Sequence, residues 1–364
     1  MSQPSKLFSG ISPMLMPLLR GICLPLAFVA LPAMFASAAD IVNIRSSKQR
    51  PAGEIVAVSK TSLTIKPITG DNIDVPANDV ISVEYEDAPA DFRLALSDET
   101  AGRLTEALGR LAKVKEANIE NKNIQADVAY AQARVQARRA LVDAAEQQAA
   151  IDQLTAAQKA FPDFYRYYES MNYLGQVQLA RKDFAAARTA YDELSQAPFP
   201  DFKLAGKIAS ARILMGEGNT SGAIDGFRDV INTAGQQPVE QARRFEAMLG
   251  LARGLMLENK HEEALTTLRD VTRNGPADDA PLQAEAYTLQ GTCLESLGRT
   301  KEAVLAFLHV DVLFPGESGY HAESLYHLSR LWKAVQLPER SLDAQAKLES
   351  KYANSEWVKK LSAN

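Results

Sequence analysis

At 364 residues, 46% hydrophobic and 23% charged, the chain is long enough for two or more domains and has the apolar side chains to bury them. Forty basic against 45 acidic residues give a net charge of −5, and no basic run is present; nucleic acid and anionic membrane surfaces, which select a basic face, are therefore poor partners. Two cysteines, Cys23 and Cys293, supply neither a disulfide framework nor a cysteine-rich metal site.

The chain opens on a segment that reads as removable. Lys6 and Arg20 are positive, Ile22 to Phe35 is an apolar run, and Ala36-Ser37-Ala38 has the small-x-small form of a cleavage site. The run is short of the roughly 20 residues that span a bilayer as a helix, and Pro25 and Pro32 interrupt it. The expectation is a signal peptide over residues 1–38, cleaved near Ala39, and export to the periplasm or the extracellular space. Membrane association follows only if the segment stays uncleaved. Cleavage removes Cys23, Lys6 and Arg20, leaving a net charge of −7 and a single thiol.

Residues 39–88 are patterned for strands. Ile41–Ile44, Glu54–Val58, Ser62–Ile65, Asn72–Val75 and Val80–Tyr85 are short, β-branched and often alternating, with Gly, Pro, Asn and Asp between them. Five short strands remove their edges best by closing, so a small barrel, SH3-like or Sm-like, is predicted, with a single helical turn at Pro76–Asp79 before the last strand. Sm-like proteins often bind RNA. Here the absence of a basic cluster and a lone aromatic, Tyr85, argue against that.

After a junction at Glu86–Ala90 the period changes to that of helices, over residues 89–355. Ala107, Leu111 and Val114 stand at offsets 0, 4 and 7, one face of a helix. Ala126 to Ala145, rich in Ala, Gln and Arg, predicts a long helix lying over its neighbours. The phrase Phe161-Pro162-Asp163-Phe164 then returns as Phe199-Pro200-Asp201-Phe202, and more loosely as Phe314-Pro315-Gly316-Glu317. The frame of offsets 0, 4, 7 and 12 recurs as Ala150, Leu154, Ala157, Pro162; as Ala264, Leu268, Val271, Pro276; and as Ala303, Phe307, Val310, Pro315. Ala187 and Ala223 begin copies without the proline. Twelve residues before Ala187, Ala223, Ala264 and Ala303 lies a small residue, Gly175, Ala211, Ala252 and Gly291. Such regular spacing, with Pro-containing breakers, means helices ending at regular intervals and stacking as pairs.

These stretches, best seen in Tyr287 to Pro315, Met248 to Pro276 and Tyr173 to Pro200, resemble the tetratricopeptide repeat family. The resemblance implies a mainly α fold: a solenoid of helix hairpins preceded by the small β-barrel, with residues 356–364 as a polar cap or tail. It also implies that the first helices line a concave groove, with the residue after each small position pointing into it. Those residues are Gln176, Arg212, Arg253, Thr292 and Arg330; Asn172 and Lys333 extend the stripe by a turn, and Tyr326 adds an apolar contact. Arginines on one line suit carboxylates gripped bidentately, and pairing with Glu246, Glu295 or Glu323 would occupy them equally well.

No catalytic constellation emerges. His261, His309, His321 and His327 form no His-x-x-x-His pair, no Gly-x-Ser-x-Gly elbow is present, and Cys293 has no evident base. The chain is thus expected to need no cofactor or metal and to act as a non-enzymatic scaffold for a protein or peptide partner, by analogy of fold. The alternative is a glycan or cell-wall binder that uses the β domain and the aromatic cluster Tyr165–Tyr168, a cluster that packing between repeats also explains.

Overall fold

The computed structural model describes residues 39–46, 48–117 and 119–362; the expected leader, residues 1–38, lies outside them. Five strands come first: β1 (Asp40–Ile44), β2 (Ala52–Val58), β3 (Ser62–Lys66), β4 (Ile73–Pro76) and β5 (Val80–Glu84). Each lies within two residues of its expected span. They form one antiparallel sheet in the order β4-β3-β2-β1-β5, with Val42 opposite Val83 across β1 and β5. Alternate side chains Val42, Leu63, Ile65, Val75 and Val83 are buried on one face, as a period of two requires. The anticipated helical turn before β5 is the 3-10 turn Ala77–Asp79, and its Asp79 carboxylate accepts the Ser46 backbone N–H at 2.8 Å, pinning the loop after β1.

Fifteen α-helices follow among the described residues. They pair as α1 (Ala90–Thr100) with α2 (Leu104–Glu116), α3 (Lys122–Ala140) with α4 (Gln147–Ala160), α5 (Tyr167–Ala180) with α6 (Phe184–Ser195), and α7 (Pro200–Gly216) with α8 (Thr220–Thr233). Then come α9 (Pro238–Leu257) with α10 (His261–Asn274), α11 (Ala280–Ser296) with α12 (Thr300–Leu313), and α13 (Ser318–Ala334) with α14 (Pro338–Lys351); α15 (Glu356–Ser362) closes the chain. Each first helix touches its own second helix and the first helix of the next pair, which is the contact pattern of a helix-pair solenoid.

The anchor alanines sit where helices cross. Ala150, Ala187, Ala223, Ala264 and Ala303 are fully buried, one in each of α4, α6, α8, α10 and α12. The paired small positions are matched to what they face. A Cβ added to Gly175 would lie 2.5 Å from the Tyr191 ring, and one added to Gly291 would lie 2.5 Å from the Phe307 ring. In both repeats the aromatic stands four residues after the anchor; where that place holds Leu268, the first helix carries Ala252. Phe227 is accommodated differently, against Gly250 of the following repeat.

The turn inside a pair is equally regular. Gly102, Lys182, Gly218, Asn259, Gly298 and Gln336 all have positive φ, one residue past the C-cap of α1, α5, α7, α9, α11 and α13. That left-handed residue ends the first helix and frees the next to start two residues on. The pair α3–α4 uses the 3-10 turn Ala144–Glu146 instead.

Two expectations need correction. Pro162, Pro276 and Pro315 lie just beyond the ends of α4, α10 and α12, as breakers should, but Pro200 is the first residue of α7. Proline lacks the N–H that the first helical turn leaves unbonded anyway, so it opens a helix as readily as it follows one. The helix rich in Ala, Gln and Arg, expected to lie over its neighbours, is α3, which begins and ends a few residues earlier than anticipated and is enclosed on most sides: Ile124, Ala126, Val128, Tyr130, Ala133, Val135 and Ala137 are all buried. Its small side chains let the sheet, α1, α2, α4 and α5 share one core with it. A second core runs from α7 to α15, and a smaller one around Tyr168, Tyr191 and Phe202 lies between them.

Gly291→Ala places a methyl group inside the van der Waals radius of Phe307 and is expected to cost about 1–3 kcal/mol. Combining it with Phe307→Leu should return part of that loss. Urea denaturation of the two singles and the double checks this: strict additivity would show that the two sites do not meet.

Candidate functional site

The sheet is locked to the helices by a buried polar cluster. Asp127 of α3 is nearly inaccessible. Its carboxylate accepts hydrogen bonds from the hydroxyls of Tyr165 (2.7 Å) and Tyr85 at the end of the sheet (3.2 Å) and from Nε of Arg166 (2.6 Å). Arg166 also donates to Glu169 (2.9 Å) and to the Ile81 carbonyl on β5 (3.3 Å). Burial and the Asp127 charge push the Tyr85 phenol well up; at Tyr165 burial pushes the same way and Arg166 opposes it. Two turns further along the same face of α3, Arg134 holds Glu99 of α1 through two bonds of 2.8 and 2.7 Å, and Arg138 reaches the same carboxylate at 3.3 Å. Burial works against ionisation of Glu99, but Arg134 outweighs it and keeps the carboxyl below its usual range.

Beside this cluster is a cleft of about 470 Å³ between the sheet and the array, walled by β5 and the turn before it, the end of α1, and α3, α5, α7 and α9. Arg45, Arg138 and Arg243 face it together with the amides of Asn78, Asn172 and Gln176. Asn172 and Gln176 were expected on a groove, and the structure brings both to this cleft. The arginines here were not anticipated. Arg134 and Arg138 stand i, i+4 on an alanine-rich helix, a visible pattern whose meaning depends on Glu99, 35 residues earlier.

Burial alternates sharply at the row one residue past each small position. Gly175, Ala211, Ala252, Gly291 and Ser329 are all buried, whereas Gln176, Arg212, Arg253, Thr292 and Arg330 are all at least partly accessible, one on each of α5, α7, α9, α11 and α13. The arginines are paired across repeats: Arg212 with Glu246 at 2.9 Å, Arg253 with Glu285 at 3.1 Å, and Arg330 with Glu295 at 3.4 Å. Burial opposes the charge on Glu246, yet Arg212 and then Arg243 hold its carboxyl low. Glu246, Glu285 and Glu323 occupy equivalent places, seven residues before the row, but Thr292 stands where an arginine would meet Glu323. Glu323 makes no ion pair among the described residues, and burial raises its carboxyl. Lys333 is exposed in the last turn of α13. Tyr326 is not an open contact: it is 7% exposed, with the Trp357 ring of α15 at 5.3 Å. The expected cap or tail is thus a short helix folded onto α13.

The aromatic cluster Tyr165–Tyr168 is not a ligand platform. Tyr165 and Tyr168 are 3% and 4% exposed, and Lys60 of the β2–β3 turn sits over the Tyr167 and Tyr168 rings at 5.2 and 5.7 Å. Of the four residues only Tyr167 keeps partial access to solvent, beside Met171 and Leu174. Cys293 is buried, which pushes its thiol up to about 12 and leaves it unreactive. His321 is likewise structural, between Asp311 at 2.7 Å and the Tyr352 hydroxyl at 2.6 Å. Among the described residues, no group of three or more His, Cys, Asp or Glu is placed to hold a metal ion, and no helix is long and apolar enough to cross a membrane.

This geometry defines a class: a helix-pair solenoid of tetratricopeptide type preceded by a five-stranded antiparallel sheet. Residues 249–318, from α9 to the start of α13, match the tetratricopeptide repeat family. Solved structures similar to the chain include a tetratricopeptide repeat protein from Parabacteroides merdae, at 15% identity over 74% of this chain and 95% of that one, with a TM-score of 0.49. A Rap protein complexed with competence and sporulation factor matches at 17% identity over 75% and 78%, with a TM-score of 0.49. NprR in complex with its cognate peptide NprX matches at 12% over 75% and 81%, with a TM-score of 0.43. No curated protein matches the chain in sequence.

Two measurements follow from the ion pairs. Arginine neighbours depress Glu99 and Glu246, so their stabilisation is complete above the unfolded carboxylate pKa of about 4.3 and is lost as pH falls through the lower folded values. Glu99→Gln is expected to cost about 2–3 kcal/mol at pH 7 and to flatten the acid limb of the stability–pH curve below pH ~4.5, as read by denaturant titrations. Thr292→Arg supplies the missing partner of Glu323 and should add about 0.2–1 kcal/mol. That gain should vanish in a Glu323→Gln background; an equal gain there would place the new guanidinium elsewhere.

Proposed function

We propose that the chain is a non-enzymatic interaction scaffold, exported to the bacterial cell envelope or secreted space, that holds a protein or peptide partner on the concave face of its helix-pair array. One observation carries this reading. A single row of polar side chains, one per repeat, stays accessible on five successive first helices while the residue before each is buried. A row repeated at the spacing of stacked helices addresses an extended ligand, whereas a small molecule would be met by side chains converging on one point. The half-exposed pairs of Arg212, Arg253 and Arg330 offer charged donors already held in place by their glutamates, so little side-chain freedom is lost on binding. The leader-like pattern of residues 1–38 supports export.

Affinity purification from envelope extract, with the captured protein identified by mass, tests the proposal. The wild-type chain should retain a partner that Arg212→Glu with Arg253→Glu loses at least tenfold, with helical circular dichroism unchanged. A partner held equally by the double variant would move binding off this face. Amino-terminal sequencing of the envelope fraction should begin near Ala39.

A further inference from the structure

We infer that the cleft between the sheet and the array binds an acidic peptide segment through its side-chain carboxylates. This deepens the scaffold reading and rests on it, naming the chemistry of one stretch of the partner.

The argument is an excess of donors. Each guanidinium carries five N–H groups in a fixed fork. Arg45, on the loop after β1, is exposed and makes no ion pair among the described residues. Arg138 is half-exposed, and its hydrogen bonds run from one nitrogen to Glu99, as side chain and carbonyl. Arg243 uses one nitrogen on Glu246. The amides of Asn172 and Gln176 make no hydrogen bond among the described residues. The acceptors in the wall are largely engaged: both Glu99 oxygens by Arg134, and Glu169 by Arg166. Five guanidinium groups and two carboxylates line the cleft. Three more carboxylates stand behind the wall, Asp127 on Arg166, Glu246 on Arg243 and Asp201 on Asn78, so the surplus is one of unengaged N–H donors rather than of net charge. What completes such a surface is a ligand rich in acceptors, and carboxylates match the forks bidentately.

Charge and size choose the occupant. A volume of about 470 Å³ exceeds one carboxylate or phosphate ion. Asn172 and Gln176 supply amide donors and acceptors suited to a peptide backbone between side chains. A nucleic acid would want a broad basic surface and open aromatic faces. Here Glu169 reaches the cleft, its side chain 36% exposed, and the ring of Phe202 is buried. Arg243 shares Glu246 with Arg212, so the cleft runs directly into the accessible row.

Fluorescence anisotropy with a labelled hexaglutamate peptide tests this on the purified chain. Binding should saturate and weaken severalfold as salt rises from about 50 to 200 mM. Arg45→Glu with Arg138→Gln should weaken it at least tenfold, and Arg45→Glu alone, on an exposed loop, should account for a clear part of that without a change in thermal melting. Arg269→Glu, on the second helix α10 and outside both the cleft and the row, should leave it unaltered. No saturable binding, an equal loss with Arg269→Glu, equally tight oligothymidylate, or competition by inorganic phosphate at equal charge would overturn the inference. The envelope partner separates this failure from that of the scaffold reading. A partner lost with Arg212→Glu plus Arg253→Glu in a chain that ignores hexaglutamate sinks only the acidic-segment assignment. Hexaglutamate bound at the cleft by a chain whose partner survives the same double variant sinks the concave-face scaffold, and with it this use of the cleft.

Discussion

The carboxylate of Asp127 is the point on which the arrangement of sheet and helices depends. It lies on α3, the most enclosed first helix, and receives donors from three directions: Tyr85 from the sheet, Tyr165 from the loop before α5, and Arg166 beside it. A buried ionised carboxylate without partners is untenable, costing several kcal/mol even after the protein relaxes. All three donors must therefore arrive together, and their joint arrival fixes where the sheet sits. Apolar packing alone would tolerate a sheet slid or rotated by a few ångströms over the alanine-rich surface of α3. The directional Tyr85 bond to Asp127 and the Arg166 bond to the Ile81 carbonyl tolerate far less. The same contact uses the outer edge of β5, a place where an unpaired strand would otherwise invite another.

This docking changes the mechanics of the array. A solenoid is held by nearest-neighbour contacts, so its stability is a sum of local terms and each joint can flex. The sheet breaks that rule at the amino-terminal end. It contacts α3 through Tyr85 and α5 through Arg166, and Asn78 hydrogen-bonds the buried Asp201 at the start of α7 at 2.8 Å. Three first helices are thereby spanned by one rigid element. From α9 onward the helices depend on their neighbours, on the Arg–Glu rungs across the first-helix face, and at the end on α15, whose Trp357 covers Tyr326 and His327. Stiffness is thus expected to be concentrated at the cleft and compliance in the later repeats.

The parts legible in the sequence are those set by short-range periodicity. Strands of period two and helices anchored at offsets 0, 4 and 7 were visible because burial of one face imposes those spacings directly. The small positions Gly175, Ala211, Ala252 and Gly291 were visible too, but which side chain each one faces was not. What stayed hidden depends on residues far apart in sequence. Nothing near Asp127 marks it as the partner of Tyr85, 42 residues earlier, or of Arg166, 39 later. The low apolar content of α3 suggested an outlying helix, because a helix crowded from every side by other elements needs small residues more than large ones. Pro200 was misread for a related reason: a proline reports that the preceding backbone is not helical, and leaves open whether a helix has ended or is about to begin.

The ladder of ion pairs bears on how such a face can bind at all. An arginine left free in a groove would be mobile and fully hydrated, and a ligand would have to order and dehydrate it. Arg212 and Arg253 are held in place by Glu246 and Glu285 from the next repeat, while about a third to a half of each side chain stays accessible. A guanidinium has donors on two edges, so one edge can keep its glutamate while the other meets a ligand. The glutamates also set a limit. They repel anions, so a carboxylate-bearing segment gains most where unengaged N–H donors outnumber fixed acceptors, and that condition is met at the sheet-flanked end of the row. Towards Thr292 and Glu323 the balance reverses, since there the acid stands without its base. The face is therefore uneven along its length: guanidinium groups predominate beside the sheet, Glu323 stands without a base at Thr292, and Arg330 and Lys333 bring positive charge back on α13.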